Sequence, residues 1–367
     1  MPLLSRIIGV PLAVEIGAGA VASLAPLLAE ARISRGGHVA VIVGPGLGEE
    51  LASSLRSRLD NADIWHVRGG SIQAAGAMAD RLRDGFFDAV VGIGGGRTLD
   101  VAKQAATLTG LPMVVVATSL AHDGLASPVA SLIDERDGRK HSFGVQMPIA
   151  VMVDVDYVRR SEPAMRRSGI GDAVSNLIAL ADWQLAHEMR GEPIDGLAVT
   201  FARTAATTML DRRDGIEDDA FLQGLAGSLV LGGLAMAAAG SSRPCSGADH
   251  EILHAIDHLY PGTALHGEIA GMCALFCADL RGDARTFKAL HTCLRRHALP
   301  CTPTELGLDL DQFSRAVQHA PLTRPDRFTI LEHLDLSPAE IQDRVETFAG
   351  TVNSMRPSRS DSGGSRQ

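Results

Sequence analysis

Four histidines lie within the short stretch CSGADHEILHAIDHLYPGTALHGE: His250, His254, His258 and His266. His250 and His254 are four residues apart, so on a helix their side chains project from one face. Two imidazoles at this separation can converge on one metal ion, or on an ion and the ligand that it holds. The alternative is that the histidines form the solvated polar face of a surface helix, and spacing alone leaves both interpretations open.

A third metal ligand would have to come from another part of the chain. Asp172 lies in SGIGDAVSNLIALADWQ, where we expect a helix to start behind a glycine-rich turn, and His266 follows the Pro-Gly turn of YPGTALHGE. One carboxylate and two imidazoles, with a position left open for a substrate oxygen, are typical of a catalytic rather than a structural zinc-type site. Asp172 together with histidines from this stretch is therefore a candidate metal site, and surface histidines satisfied by solvent remain the alternative.

A second stretch that could bind a ligand is VVGIGGGRTLDVAK. In it an apolar strand pattern leads into Gly94, Gly95 and Gly96 and then into a helix pattern. Backbone N–H groups at such a turn can approach a pyrophosphate at the positive end of the helix dipole. The G-x-G-x-x-G fingerprint is not matched, because Thr98 and Leu99 follow where its third glycine would fall. Tight structural packing is the alternative reason for the glycines.

Polar residues follow the next apolar run, PMVVVATSLAHDGLASP. Open α/β sheets bind ligands at the carboxyl ends of their strands. Thr118, Ser119, Asp123 and Ser127 are thus expected to face whatever binds at the three glycines. Asp100, in the preceding helix pattern, is either a carboxylate that interacts with the helix dipole or a hydrogen-bonding partner of a cofactor.

The elements that must position these residues change in character near residue 160. Before it, the runs HVAVIVG, IWHVRGG, DAVVGIGGG and PMVVVAT alternate with amphipathic helix patterns, which predicts a parallel sheet with right-handed crossovers. After it, the patterns are almost wholly helical. We predict an α/β nucleotide-binding domain over residues 1–160, an all-α helical domain over 161–355, and a disordered tail over 356–367.

Composition excludes several classes of function. The 367 residues are 46% hydrophobic and 4% aromatic, and the formal charge of −9 argues against nucleic acid or a polybasic membrane surface. No apolar run reaches the ~18 residues of a spanning helix, and no secretory signal is evident, so a cytoplasmic enzyme without membrane insertion is expected. The five cysteines predict no disulfide framework, and we interpret Cys273 and Cys277 as small apolar residues on one helix face.

Five segments together carry a resemblance to a known family: GIGGGRTLDVAK, ATSLAHDGLASPVAS, GIGDAVSNLIALADWQLA, GSSRPCSGADHEILHAIDHL and ALHGE. They resemble, in the same order, the sn-glycerol-1-phosphate dehydrogenase family, which shares a superfamily with glycerol dehydrogenase, iron-type alcohol dehydrogenases and dehydroquinate synthase. The resemblance extends from about residue 10 to about residue 350. It implies a dehydroquinate synthase-like fold, with a divalent metal in the cleft between an α/β domain and a helical domain.

The resemblance also implies residue roles. Asp172, His250 and His266 would bind the metal, and His254 would complete the catalytic set. Asp123, Asp172 and His254 would contact substrate, whereas His258 matches no family function and is expected as a partly exposed helix residue. The nicotinamide-cofactor positions are Gly94, Gly95, Gly96, Arg97, Thr98, Leu99, Asp100, Thr118, Ser119, Leu120, Ala121 and Ser127.

Details of the motifs separate the relatives. Iron-type alcohol dehydrogenases have a further histidine ligand four residues after the aspartate, whereas this chain has Asn176 there, so three protein ligands are expected. The family more often reads Ser-Glu-His where this chain has Ala248-Asp249-His250. Dehydroquinate synthase has Glu as its first ligand, and the HDGLASP and SSRPCSGADH segments favour a phosphorylated substrate over plain glycerol.

The expected reaction is the interconversion of dihydroxyacetone phosphate and sn-glycerol 1-phosphate, with Arg243 as the phosphate partner and Lys140 and His141 as weaker candidates. NAD or NADP is expected as cofactor, because HVAVIVGPG ends without an acidic residue to select between them. Zinc is the expected metal, with nickel or iron as alternatives, and a homo-oligomer is expected. The competing functions are a glycerol dehydrogenase-like polyol or sugar-phosphate dehydrogenase, a dehydroquinate synthase-like cyclase, and a metal-binding protein without catalysis.

Overall fold

The computed structural model describes residues 9–30, 33–34, 37–59 and 61–355. Its main sheet has six parallel strands in the order β1-β8-β5-β4-β2-β3, and β6 and β7 form a separate antiparallel pair. The strands are β1 Ala13–Gly17, β2 Val39–Val43, β3 Ala62–His66, β4 Ala89–Gly94, β5 Met113–Ala117, β6 Val129–Ile133, β7 Lys140–Gly144 and β8 Ala150–Asp154. The helices among them are α1 Leu24–Leu28, α2 Leu47–Leu55, α3 Ile72–Asp84, α4 Gly96–Thr109 and α5 Val155–Val158.

The inner strands of the sheet are apolar on both faces. Every residue of β2, β4, β5 and β8 is buried, because helices and further chain cover the sheet from either side. A strand buried on both faces shows a continuous valine-rich run rather than an alternating one, as these four do. Their carboxyl ends meet at one edge of the sheet, where the chain leaves β4 at Gly94 and β5 at Ala117.

The rest of the chain is helical. Its helices are α6 Pro163–Arg190, α7 Gly196–Asp211, α8 Asp219–Ala239, α9 Ala248–Leu259, α10 His266–Leu280, α11 Ala284–Arg296, α12 Leu310–His319, α13 Ile330–Leu334 and α14 Pro338–Ser354. One buried apolar cluster runs from Ala40 in the sheet to Val352 in α14, so the α/β and helical parts share a core. The division at residue 160 falls between α5 and α6 and stays a prediction, and the tail over 356–367 lies outside the described residues.

Helix α8 is the only described helix that is long and apolar enough to span a membrane by length and composition. Most of its apolar window is buried inside the protein, and Phe221, Leu225 and Leu229 are fully buried. A central helix of a folded core is apolar all round for the same reason that a spanning helix is. The pattern is thus accounted for by packing against the neighbouring helices.

Glycines dock α6 against α10 and against the loop that follows β5. A Cβ atom at Gly171 would lie 2.0 Å from the carbonyl oxygen of Gly267, and one at Gly267 would lie 1.8 Å from the carbonyl oxygen of Ser168. On the other side of α6, a Cβ atom at Gly169 would lie 2.0 Å from the carbonyl oxygen of Leu120. The backbones approach this closely only because these positions have no side chain.

Candidate active site

A cleft lies between the carboxyl edge of the sheet and the helical part. We use "sheet wall" for residues 94–100 and 118–127, and "helix wall" for Asp172, His250, His254, His266 and Arg324. Hairpin β6–β7 adds Ser131, Lys140 and Ser142 to the cleft. The residues that line it are Arg97, Asp100, His122, Asp123, Gly124, Ser127, Val129, Ser131, Lys140, Ser142, Met236, Ser242, Cys245, Ser246, His250, His254, His266 and Arg324.

The three candidate metal ligands converge. The Oδ1 atom of Asp172 lies 3.4 Å from Nε2 of His266 and 3.8 Å from Nε2 of His250. One ligand atom from each residue lies within 4.8 Å of the other two. Oδ2 of Asp172 accepts a hydrogen bond from the backbone N–H of Asp123 at 2.8 Å, which fixes the carboxylate and directs Oδ1 toward the imidazoles. This mixed oxygen and nitrogen set fits a divalent transition metal with an open coordination position.

The position of Asp172 in its helix differs from the prediction. It lies in the middle of the 28-residue helix α6 rather than at a helix start, and Gly169 and Gly171 are helical rather than part of a turn. These glycines let α10 approach, and α10 begins with His266. The Ser168 hydroxyl strengthens this docking, because it donates to the Ala121 carbonyl at 2.9 Å and accepts from the Gly267 N–H at 3.0 Å.

A buried carboxylate holds His250. Nδ1 of His250 lies 2.6 Å from Oδ2 of Asp249, whose Oδ1 accepts from the Gly247 N–H at 3.1 Å. Such a carboxylate fixes the tautomer and the ring orientation of a ligating histidine. The Ala-Asp-His sequence, noted above as a departure from the family, therefore keeps a carboxylate next to the ligand.

The charges in the cleft perturb several ionisable groups. Burial opposes ionisation of Asp172, but the hydrogen bond with His266 and the nearby histidines outweigh it and lower its pKa. Burial, reinforced by the charge of Asp172, raises the pKa of Asp123 to about 8. Burial and the proximity of His266 lower the pKa of His122 to about 4. Perturbed groups gathered in one cleft are typical of active sites.

His254 is neutral in this cleft and has a defined hydrogen-bonding role. Burial, with Arg324 as the next cause, lowers its pKa well below the ordinary histidine value. Nη2 of Arg324 lies 3.1 Å from Nε2 of His254. A guanidinium can only donate, so Nε2 accepts and the proton of the neutral ring is on Nδ1.

The sheet wall is shaped by the absence of side chains. A Cβ atom at Gly96 would lie 2.3 Å from Nε2 of His122, and one at Gly95 would lie 3.1 Å from the Ser119 hydroxyl. Gly94 would carry its Cβ atom 2.9 Å from that of Thr98. The start of α4 is therefore packed closely against the side chains of His122, Ser119 and Thr98, which is possible because these three positions carry no side chain.

The other predicted cofactor positions fall into three groups: buried leucines, charged residues of α4, and small or polar residues after β5. Leu99 and Leu120 are buried in the core, so only their backbone is available to a ligand. Arg97 is exposed at the start of α4. Asp100 also lines the cleft, where it pairs with Lys103 at 2.9 Å and accepts a hydrogen bond from the Ser131 N–H at 3.1 Å. Thr118, Ser119, Ala121 and Ser127 all follow β5 at the carboxyl edge of the sheet.

Arg243 does not occupy the place predicted for it. Its guanidinium is buried, donates to both carboxylate oxygens of Glu192 at 2.7 and 2.5 Å and to the Phe328 carbonyl at 2.9 Å, and does not line the cleft. The structure therefore does not favour Arg243 as the partner of a substrate phosphate, because its charge is already neutralised by a carboxylate. Of the weaker candidates, Lys140 lines the cleft but pairs with Asp257 at 3.2 Å, and His141 does not line it.

Several other expectations can be compared with the structure. His258 is exposed and stacks on His319, with ring centroids 5.2 Å apart, which agrees with a surface role. All five cysteines are free and buried, and Cys273 and Cys277 lie in the buried part of α10, in agreement with their interpretation as small apolar residues. Asn176 is buried on α6, and its exclusion from the metal ligands stays a prediction.

Sequence reasoning missed His122 and Arg324. His122 is next to Asp123, so the motif that identified the aspartate also contained the histidine. Arg324 lies in the irregular segment PLTRPDRF, which carries no recognisable motif and is far in the sequence from the histidines. Only the folded chain brings it to His254.

Comparison with known proteins gives a consistent result. The family model described as iron-containing alcohol dehydrogenase matches residues 15–161. The chain is 33% identical to the glycerol-1-phosphate dehydrogenase [NAD(P)+] of Cenarchaeum symbiosum, over 92% of this chain and 94% of the relative. It is 32% identical to the enzyme of the same name from Hyperthermus butylicus, over 94% and 99%.

Solved structures share the fold. A probable glycerol dehydrogenase from Sinorhizobium meliloti superposes with a TM-score of 0.78 at 21% identity, covering 95% of this chain and 99% of that one. Glycerol dehydrogenase from Schizosaccharomyces pombe gives a TM-score of 0.75 at 20% identity, covering 95% and 92%. The predicted α/β and helical architecture of the dehydroquinate synthase-like type is thereby confirmed.

Proposed function

Because the chain belongs to the glycerol-1-phosphate dehydrogenase family, we propose that it is an NAD(P)-linked oxidoreductase that interconverts dihydroxyacetone phosphate and sn-glycerol 1-phosphate. The observation that carries this proposal is the convergence of Asp172, His250 and His266 at a cleft that Arg97 and Asp100 of α4 also line. A hydride reaction needs the carbonyl carbon and the nicotinamide to be held face to face, and the two walls of the cleft provide the two supports.

Asp172, His250 and His266 would hold one divalent ion, with zinc as the first choice and nickel or iron as alternatives. Such an ion polarises a carbonyl oxygen and stabilises the charge that develops on it as hydride arrives. Asp249 contributes by fixing the His250 ring, and the Asp123 N–H contributes by fixing the Asp172 carboxylate. The protein thus supplies a rigid set of donors before substrate binds.

His254 and Asp123 would contact the substrate. His254 carries its proton on Nδ1, so it can donate a hydrogen bond that orients a substrate oxygen, while the proton that completes the alcohol would come from water. Asp123 lines the same cleft and is held by its backbone bond to Asp172. Together they would orient a small polyhydroxylated molecule against the sheet wall.

The sheet wall would hold the nicotinamide cofactor. The pyrophosphate would bind the N-terminal end of α4 at Gly94–Gly96, with Arg97 as an exposed cation beside it. Thr118, Ser119, Ala121 and Ser127 would contact the nicotinamide half. No acidic residue follows β2 within GPG, so we propose that the enzyme accepts both NAD and NADP. A cytoplasmic homo-oligomer remains the expected form.

A substrate panel tests this function. The metal-loaded protein should oxidise NADH or NADPH with dihydroxyacetone phosphate, with kcat/KM at least about tenfold above that for dihydroxyacetone, as expected for a bound phosphate. Equal rates with the two ketones would favour a glycerol dehydrogenase, whose fold this chain shares. Conversion of a sugar phosphate without net NAD(P)H consumption would favour a cyclase instead.

A further inference from the structure

We propose that Arg324 binds the phosphate of the substrate and so selects phosphorylated ketones, an inference that rests on the function proposed above. Arg324 belongs to the connection between α12 and α13, residues 320–329, which we call the strap. The strap lies against the helix wall and brings one guanidinium into the cleft, next to His254. This residue takes the role that Arg243 cannot fill.

The charge balance of the cleft supports this assignment. Three cations line it: Arg97, Lys140 and Arg324. Arg97 lies at the start of α4 on the sheet wall, and Lys140 is paired with Asp257. Among the described residues, no carboxylate lies within ion-pair distance of Arg324, whose one polar side-chain contact is the neutral His254.

Arg324 is partly buried, and this burial is unfavourable for an unpaired cation. Desolvation lowers the pKa of Arg324, and the charge of Glu251 opposes the shift only in part. A partly desolvated cation without a counterion is costly, and an anion that enters the cleft would remove that cost. The end of the cleft near Arg324 therefore favours the binding of a negatively charged group.

The strap is held firmly enough to fix the guanidinium. Thr323 donates to the Glu251 carbonyl at 3.3 Å. Arg327 donates to the Ser246 carbonyl and to the Ser242 hydroxyl. The Phe328 carbonyl accepts from Arg243. These bonds join the strap to α9 and to the turn before it. The ion pair of Arg243 with Glu192 thus serves to hold the strap in place.

The location suits a triose phosphate. The His254 ring contacts Arg324 and is a neighbour of the candidate metal ligand His250, with the two histidine centroids 6.4 Å apart. In dihydroxyacetone phosphate only a methylene and an ester oxygen separate the carbonyl carbon from phosphorus. A guanidinium has five N–H donors in a planar fork, so Arg324 can bind a phosphate bidentately while it keeps its bond to His254.

Two variants and one control test the proposal. Arg324→Gln removes the charge but keeps an N–H donor for His254, and Arg324→Lys keeps a charge without the fork. Lys140→Gln is the matched control, since it removes a cleft cation that already has a carboxylate partner. The measurements are kcat/KM for dihydroxyacetone phosphate and dihydroxyacetone, and the inhibition constant of inorganic phosphate against dihydroxyacetone phosphate.

We expect Arg324→Gln to lower kcat/KM for the phosphorylated ketone by about 10- to 100-fold and to weaken phosphate inhibition similarly. Dihydroxyacetone should change by less than about threefold, Arg324→Lys should be intermediate, and Lys140→Gln should leave the preference intact. An equal loss for both ketones, or a loss in Lys140→Gln alone, would overturn the assignment. If the wild type shows no preference, the proposed function fails, and unchanged phosphate inhibition in Arg324→Gln would then separately exclude Arg324 as an anion site.

Discussion

The two walls of the cleft are built in different ways. The sheet wall is made of backbone: three successive glycines at the end of β4, where an added Cβ atom would meet a neighbouring side chain. The helix wall is made of side chains from α6, α9, α10 and the strap, and their charges are balanced by buried partners such as Asp249. The first wall depends on a local sequence, whereas the second depends on the docking of segments far apart in the chain.

This difference predicts which kind of substitution damages each wall. A backbone surface is damaged by adding atoms, because any side chain there collides with the neighbouring side chains that pack against it. A side-chain surface is damaged by removing atoms, because each lost group leaves its buried partner unsatisfied. The following predictions test the two modes separately.

The largest effect should come from the helix wall. His266→Ala removes one of three candidate ligands, so bound divalent metal and turnover should both be lost, the latter by on the order of a thousandfold. The fold should persist, because His266 lies in a cleft and is not part of the core. Metal content by mass spectrometry, turnover, and circular dichroism would be measured together, with His258→Ala, an exposed histidine that does not line the cleft, as the control. Full activity in metal-free protein would refute the metal assignment.

The next effect should come from the sheet wall. Gly96→Ala places a methyl group against His122, so His122 must move or the start of α4 must shift. We expect KM for the nicotinamide cofactor to rise by roughly tenfold, with bound metal unchanged. Gly76→Ala on α3 is the control, since no neighbouring atom lies within 4 Å of its added Cβ position. A loss of metal without a change in cofactor affinity would contradict the separation of the two walls.

The smallest effect on chemistry should come from Arg243. Arg243→Ala breaks the pair with Glu192 and the bond to the strap, so the free energy of unfolding should fall by about 2 kcal/mol. The phosphorylated ketone should lose activity by a small factor and dihydroxyacetone by less, because Arg243 acts on the substrate only through the strap that carries Arg324. Denaturant unfolding and kcat/KM for each ketone would check this. A selective loss as large as that of Arg324→Gln would show that Arg243 itself binds the phosphate.

The sheet wall was the part that the sequence could predict. The runs HVAVIVG, IWHVRGG, DAVVGIGGG and PMVVVAT correspond to β2, β3, β4 and β5, and the glycine run corresponds to the turn into α4. Local patterns are less informative for β1 and β8, which are separated by more than a hundred residues although they pair in the sheet. Local patterns carry no information about such pairing, so these strands emerged only from the structure.

The helix wall could be predicted in part. Four-residue spacing placed His250 and His254 on one helix, but the helical position of Asp172 and the purpose of its flanking glycines were misjudged. A glycine that permits helix docking has the same sequence signature as one that ends a turn. Arg243 and Arg324 are indistinguishable as residue types, and only their neighbours, Glu192 for one and His254 for the other, separate their roles.

The docking of α6 against α10 also has a consequence for the order of folding. The hydrogen bond from the Gly267 N–H to the Ser168 hydroxyl joins residues 99 positions apart. Closing a loop of that length costs chain entropy before the contacts between α6 and α10 can form. The ligand pocket should therefore form late, after the sheet and the individual helices. A metal that binds only the completed pocket would stabilise the folded protein against unfolding. Part of the enzyme's stability would then depend on the bound ion.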